Sequence, residues 1–232
     1  MKSKQLVVVF LVMIMGFRAE TPLKLFLLGD SISLQYGVYL EKYLKGEWII
    51  DRKGSQEKAL KNLDEPIDAN GGNSKMVLDY LRTREKDPNF KPDLMVLNCG
   101  MHDIKRNPQT KEIAIDAINY RKNLEEIYLL LSHKKIPLIW VRSTGVIDSL
   151  HAAKSKAFDR YEKDVDEYNA IADQVFKKHK VPVIDLYTFT KKQGDDRFAD
   201  HAHFIPRVID AQAKYIANFL SRFKVERVKL KD

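Results

Sequence analysis

Five short apolar runs, each followed by a segment with helical spacing of its apolar residues, constrain the fold of this chain more than any other feature. The runs are 23–28, 48–50, 94–98, 136–141 and 181–186. The intervening patterns predict helices over about 33–44, 74–85, 111–131, 157–177 and 206–223. In the third of these, Ala117, Leu124, Ile127 and Leu131 stack on one side. The stretch 51–69 carries no such pattern and is expected to be irregular. Strands that are apolar throughout, rather than every second residue, are buried on both faces. Alternating with helices, they predict an α/β fold with a parallel sheet covered on both sides. No internal repeat or low-complexity segment interrupts that order.

Ligands of such sheets bind beyond the carboxyl ends of the strands, and the chemically informative residues fall there. Gly29-Asp30-Ser31-Ile32-Ser33 directly follows the first run. A strand holds such a serine rigidly, and the start of the next helix offers free N–H groups for a developing negative charge. Taken alone, the segment equally fits a turn in which Ser31 or Ser33 caps a helix. After the fifth run comes Asp200-His201-Ala202-His203-Phe204. Asp200 and His203 are three apart, so one helix-like turn brings a carboxylate and an imidazole onto one face. The order Ser, Asp, His, with the last two nearly adjacent, differs from α/β-hydrolases, and their Gly-x-Ser-x-Gly elbow is absent. Asn70-Gly71-Gly72-Asn73-Ser74 follows the second run, and Cys99-Gly100-Met101-His102-Asp103 follows the third.

These four blocks, in this order, resemble those of the SGNH (GDSL-like) hydrolases, which are serine esterases and lipases. The resemblance runs from Gly29 to His203 and implies a flavodoxin-like three-layer sandwich with about five parallel strands. It implies Ser31 as nucleophile and Asp200 with His203 as its charge-relay partners. The backbone N–H groups of Ser31 and Gly72 are implied as oxyanion donors. In the third block the family has Gly-x-Asn-Asp, whereas this chain has Gly100-Met101-His102-Asp103, so His102 replaces the amide donor. A neutral imidazole carries one N–H and can donate it in the same place. No metal or organic cofactor is implied. Arg142, at the end of the fourth run, is a candidate substrate contact. Asp30 and Asp103 are expected to brace their turns, and His133 and His179 to sit at helix ends; His151 carries no signal.

Lys2 and Lys4, the apolar stretch 6–17 and Ala19 together predict a signal peptide over 1–19, with a single domain over 20–232. That apolar stretch is shorter than the ~20 residues of a membrane span. An exported, periplasmic or secreted protein is therefore expected, with an uncleaved N-terminal anchor as the alternative. The net charge of +8 falls to +5 without Lys2, Lys4 and Arg18. That excess is spread along mixed-charge helix faces and does not call for a nucleic-acid partner. The densest basic patch, 222–231, is expected to be a solvated terminus. With Cys99 the single cysteine, no intramolecular disulfide can form.

The expected function is an esterase acting through an acyl-serine on a small-molecule or glycan ester, with short acyl groups favoured because no long apolar lid segment is present. Two readings of other classes remain. Gly100-Met101-His102-Asp103 and His201-Ala202-His203 also resemble turns of metal-dependent phosphoesterases, although the first strand lacks their Asp-x-His. The change at His102 would alternatively suit an inactive, glycan-binding member of the esterase fold.

Overall fold

A computed structural model describes residues 21–223. The expected signal peptide and most of the basic tail lie outside the described residues. Five strands, β1 (Leu23–Leu28), β2 (Trp48–Arg52), β3 (Leu94–Leu97), β4 (Leu138–Val141) and β5 (Val183–Ile184), form one sheet. Its order is β2-β1-β3-β4-β5, with every pair parallel. This is the flavodoxin-like order, and its chain reversal lies between β1 and β3.

The uniformly apolar strands still alternate, because successive side chains point to opposite faces. Leu25, Leu27, Leu94, Val96, Ile139 and Val141 share one core with Tyr36 and Leu40 of α1 (Ser31–Tyr43) and Val208 and Ile216 of α8 (Pro206–Leu220). Phe26, Leu28, Met95, Leu97, Leu138 and Trp140 share the other. They pack there with Val77 and Leu81 of α3 (Ser74–Glu85), Leu124 and Ile127 of α4 (Ala117–His133), and Val175 and Phe176 of α6 (Glu162–Lys178). The sheet is thus sealed on both sides, as its composition requires.

Element boundaries depart from the sequence expectation where side chains cap or cross-link the backbone. The long helix begins at Ala117, not near 111, because the Asp116 side chain accepts from Asn119 N at 2.9 Å and ends the helix there. Residues ahead of it are held by bridges from Arg106 to Ile113 and to Asp159. The second of these also keeps 157–161 out of α6. The last strand is shorter than expected because Asp185 already caps α7 (Leu186–Lys191), accepting from Thr188 N at 3.0 Å. Two other short helices, α2 (Gln56–Leu60) and α5 (Asp148–Lys154), lie in segments without a readable helical pattern.

Candidate active site

The first two glycine blocks extend the sheet beyond β1. Gly29 bridges in parallel to Asn70, and Gly71 N donates to Gly29 O at 2.7 Å. A Cβ on Gly71 would stand 3.1 Å from that same carbonyl oxygen, so the close approach favours glycine. On the other side of β1, Asn98 N donates to Leu28 O at 3.0 Å and brings in the third block. Three loops are thereby laid side by side at the carboxyl edge, across the chain reversal of the sheet.

Ser31 opens α1. Asp30 caps that helix by accepting from Ile32 N at 3.0 Å, while Ser33 Oγ donates to Asp30 O at 2.7 Å. Ser33 and Asp30 are therefore occupied with the turn, and the Ser31 hydroxyl points elsewhere. It meets His203 Nε2 at 2.8 Å, and His203 Nδ1 meets Asp200 Oδ2 at 2.8 Å. A small hairpin presents this pair: Phe198 bridges to Phe204, and Ala199 N donates to His203 O at 2.8 Å. Asp200 Oδ1 accepts from the N–H groups of both Ala202 and His203 at 2.8 Å, fixing the turn. Burial works to raise the Asp200 carboxyl. The His203 ring and those two N–H groups outweigh it and hold the group well below the usual carboxylate range. A hydroxyl bonded to an imidazole whose far nitrogen faces a fixed carboxylate can be deprotonated as it attacks a carbonyl.

Three groups were expected to stabilise the oxyanion. Ser31 N sits in the first turn of α1, where an intrahelical partner is unavailable. Gly72 has φ +72°, which glycine adopts more readily than a residue with a side chain, and its N–H is engaged by Asn70 Oδ1 at 3.0 Å. His102 is buried, 5 % exposed, and its ring makes no hydrogen bond among the described residues. Burial, followed by the Lys105 and Arg160 cations, pushes its pKa well below the usual histidine value, so the ring is neutral at pH 7 with one N–H to give. Asp103, next to it, accepts from Ser74 N with both oxygens at 2.9 and 3.0 Å and ties the third block to α3.

Arg142 is not brought into this cluster. Its guanidinium pairs with Asp185 at 3.0 Å and with Asp173 at 3.5 Å, so it has partners of its own. Several residues with no expected role in the serine chemistry do join the site. His201 reaches Asp64 at 3.1 Å and Asp200 at 3.7 Å, which links the irregular 51–69 stretch to the Asp200 loop. The His151 ring lies 5.0 Å from that of His201 and donates through Nε2 to Phe158 O at 3.0 Å. Arg160 donates through Nε to Met101 O at 2.7 Å, bracing the turn that carries His102. No periodicity or spacing links positions 64, 151 and 160 to the Asp200 block, so only the fold shows that they converge on it.

No group of three or more His, Cys, Asp or Glu side chains that could hold a metal ion occurs among the described residues. His203, which a metal site would need as a ligand, is instead bonded at both nitrogens to Ser31 and Asp200. No helix among the described residues is long and apolar enough to cross a membrane.

Comparison with known proteins agrees with this architecture. The chain is similar to a lipase/acylhydrolase from Enterococcus faecalis, at 22% identity and TM-score 0.62, over 88% of this chain and 98% of the other. It is similar to a putative acylhydrolase from Bacteroides fragilis, at 16% identity and TM-score 0.63, over 88% and 91% of the two chains. An acetyl xylan esterase superposes with TM-score 0.60 at 16% identity, over 86% of this chain and all of its own, 100%. No curated protein matches the chain. Residues 27–207 match the GDSL-like lipase/acylhydrolase family over more than half of the sequence. The chain belongs to that family and is a hydrolase of ester bonds.

Proposed function

We propose that this protein is an exported serine esterase that removes short acyl groups, acetyl above all, from carbohydrate through an acyl-serine intermediate. The observation that carries the reading is the unbroken chain Ser31 Oγ, His203 Nε2, His203 Nδ1, Asp200 Oδ2, with 2.8 Å at each contact. His203 takes the hydroxyl proton as Ser31 attacks the ester carbonyl, and Asp200 stabilises the imidazolium that forms. The oxyanion is met by Ser31 N–H and the His102 ring. Gly72 N–H serves as a third donor by sharing its hydrogen with Asn70 Oδ1. His203 then protonates the departing alcohol, and water, deprotonated by the same ring, hydrolyses the acyl-enzyme.

The acetyl preference is supported by the fold shared with an acetyl xylan esterase and by the lack of a long apolar lid segment. Export is supported by the charged, then apolar, start of the chain. The test is hydrolysis of p-nitrophenyl acetate by wild type and Ser31→Ala, with and without chelator. Chelator-insensitive turnover that disappears in Ser31→Ala is expected. Turnover indifferent to Ser31 would overturn the acyl-serine mechanism, and turnover abolished by chelator would reinstate a metal-dependent phosphoesterase.

A further inference from the structure

Arg160 stands apart from the other deeply buried arginines. Arg52 has Glu41 within 3.7 Å, and Arg197 has Asp195 within 3.7 Å. Arg160 is 3 % exposed, yet no carboxylate among the described residues lies within ion-pair distance of it. Its Nε is used on Met101 O, and its two Nη groups have no hydrogen-bond partner among the described residues. Those nitrogens are not among the sealed, unsatisfied polar atoms either, which means that they reach an opening. The opening lies beside the candidate site, because Arg160 holds Met101 O next to His102 and stacks on Phe158, whose ring lies 5.9 Å from that of His201. A buried cation with free N–H groups carries a desolvation cost that an incoming anion offsets.

A second cation shares the wall. Lys105 Nζ lies 4.1 Å from the centre of the Phe158 ring, and the Arg160 guanidinium carbon lies 4.7 Å from it. Burial, then the Arg160 charge, pulls the Lys105 ammonium down to about 8, so at neutral pH the wall still carries two positive charges. Neither residue handles a proton or the oxyanion in the serine chemistry; Arg160 only braces the turn that carries His102. A planar guanidinium with both Nη groups open matches a carboxylate held by two parallel hydrogen bonds.

We propose that Arg160, with Lys105 beside it, recognises a carboxylate on the substrate, so that the preferred ester is an acylated sugar acid. The inference rests on the esterase reading above: an acetyl group has no place for a charge, which puts the carboxylate on the alcohol part. Arg160 is then a specificity determinant, and its anchorage on Met101 O sets the distance between the carboxylate and the oxyanion donors.

The test uses Ser31→Ala, which holds the intact ester, and two ligands, mono-O-acetyl methyl galacturonoside and mono-O-acetyl methyl galactoside. The acidic ester is expected to bind about 10- to 100-fold more tightly, the range of a charge-assisted bidentate contact. That gap should close in Ser31→Ala/Arg160→Gln and survive in part in Ser31→Ala/Arg160→Lys. In wild type the same ratio should appear in kcat/KM, mostly through KM. Should the glutamine variant fail to fold, Ser31→Ala/Lys105→Gln is expected to narrow the gap severalfold. Equal binding of the two esters would overturn the assignment even if p-nitrophenyl acetate turnover depends on Ser31. Displacement by inorganic phosphate at lower concentration than by the uronoside would overturn the choice of carboxylate. Absence of Ser31-dependent turnover would instead fell the esterase reading, while the binding gap is measured without turnover.

Discussion

The buried Asp103 makes the stability of the fold depend on pH in a direction opposite to most carboxylates. It is fully enclosed, 0 % exposed, and burial pushes its carboxyl up from 3.8 to about 7 against the lowering effect of its bonds to Ser74. The folded state therefore binds a proton more tightly than the unfolded chain does. Between the two pKa values stability must fall as pH rises; the contribution is full below about pH 4 and lost on passing about pH 7. A rise of roughly three pKa units corresponds to about 4 kcal/mol. Asp103→Asn keeps an acceptor for Ser74 N–H but cannot ionise. Relative to the variant, wild type is expected to lose about 4 kcal/mol between pH 4 and pH 7.5. That is about 8–16 °C in Tm for a domain of this size. The assay is urea unfolding at three pH values, followed by the fluorescence of Trp48 and Trp140, both buried. A stability difference that stays flat across that range would refute the reasoning.

Other substitutions test the site more directly. His102→Ala should lower kcat by about 10²–10³-fold while His102→Asn, which restores an N–H donor, keeps much of the activity; equal rates for wild type and His102→Ala would remove His102 from the oxyanion site. Asp200→Asn should cut kcat by up to ~10⁴-fold with little change in KM, since the imidazole loses its fixed tautomer, and ester turnover checks it. Gly72→Ala combines φ +72° with a Cβ placed 2.6 Å from Met76 Sδ and 2.9 Å from Pro66 Cβ, and is expected to cost about 1–3 kcal/mol of stability in a urea titration. Arg106→Met leaves Asp164, 2 % exposed, without its two bonds at 2.8 and 2.9 Å, and should destabilise by ~3 kcal/mol or more by the same titration.

Much of the architecture was legible because it is written in runs. An uninterrupted stretch such as 94–97 can only be a strand buried on both faces or part of a buried helix, and its length and the glycine after it decide for the strand. The helix expected over about 74–85 from its apolar spacing is α3, Ser74–Glu85. What could not be read depends on single side chains acting across the chain. Asp116 and Asp185 end one conformation and start another through one hydrogen bond each, with no periodic trace. Within the candidate site, Ser31, Asp200 and His203 were accessible because their blocks sit at strand ends and resemble a family pattern. Arg160 was not, since a buried cation in an irregular segment looks in sequence like any solvated one. Arg142 misled for the converse reason: a strand-end position toward the cleft does not reveal that Asp173 and Asp185 neutralise the side chain.

The single thiol of the chain lies directly behind the reactive edge. Cys99 is fully enclosed, its carbonyl accepts from Tyr120 Oη at 3.0 Å and from Ser143 Oγ at 3.3 Å, and burial raises its pKa. A thiol reagent can reach it only when the β3 end separates from α4 and the β4 loop. The rate of Cys99 modification therefore clocks the breathing of the platform under His102, with no label introduced. In the fast-reclosing regime that rate gives the free energy of the opening itself. Ligands that bind only the closed form should slow the clock in proportion to their occupancy, whatever chemistry they undergo.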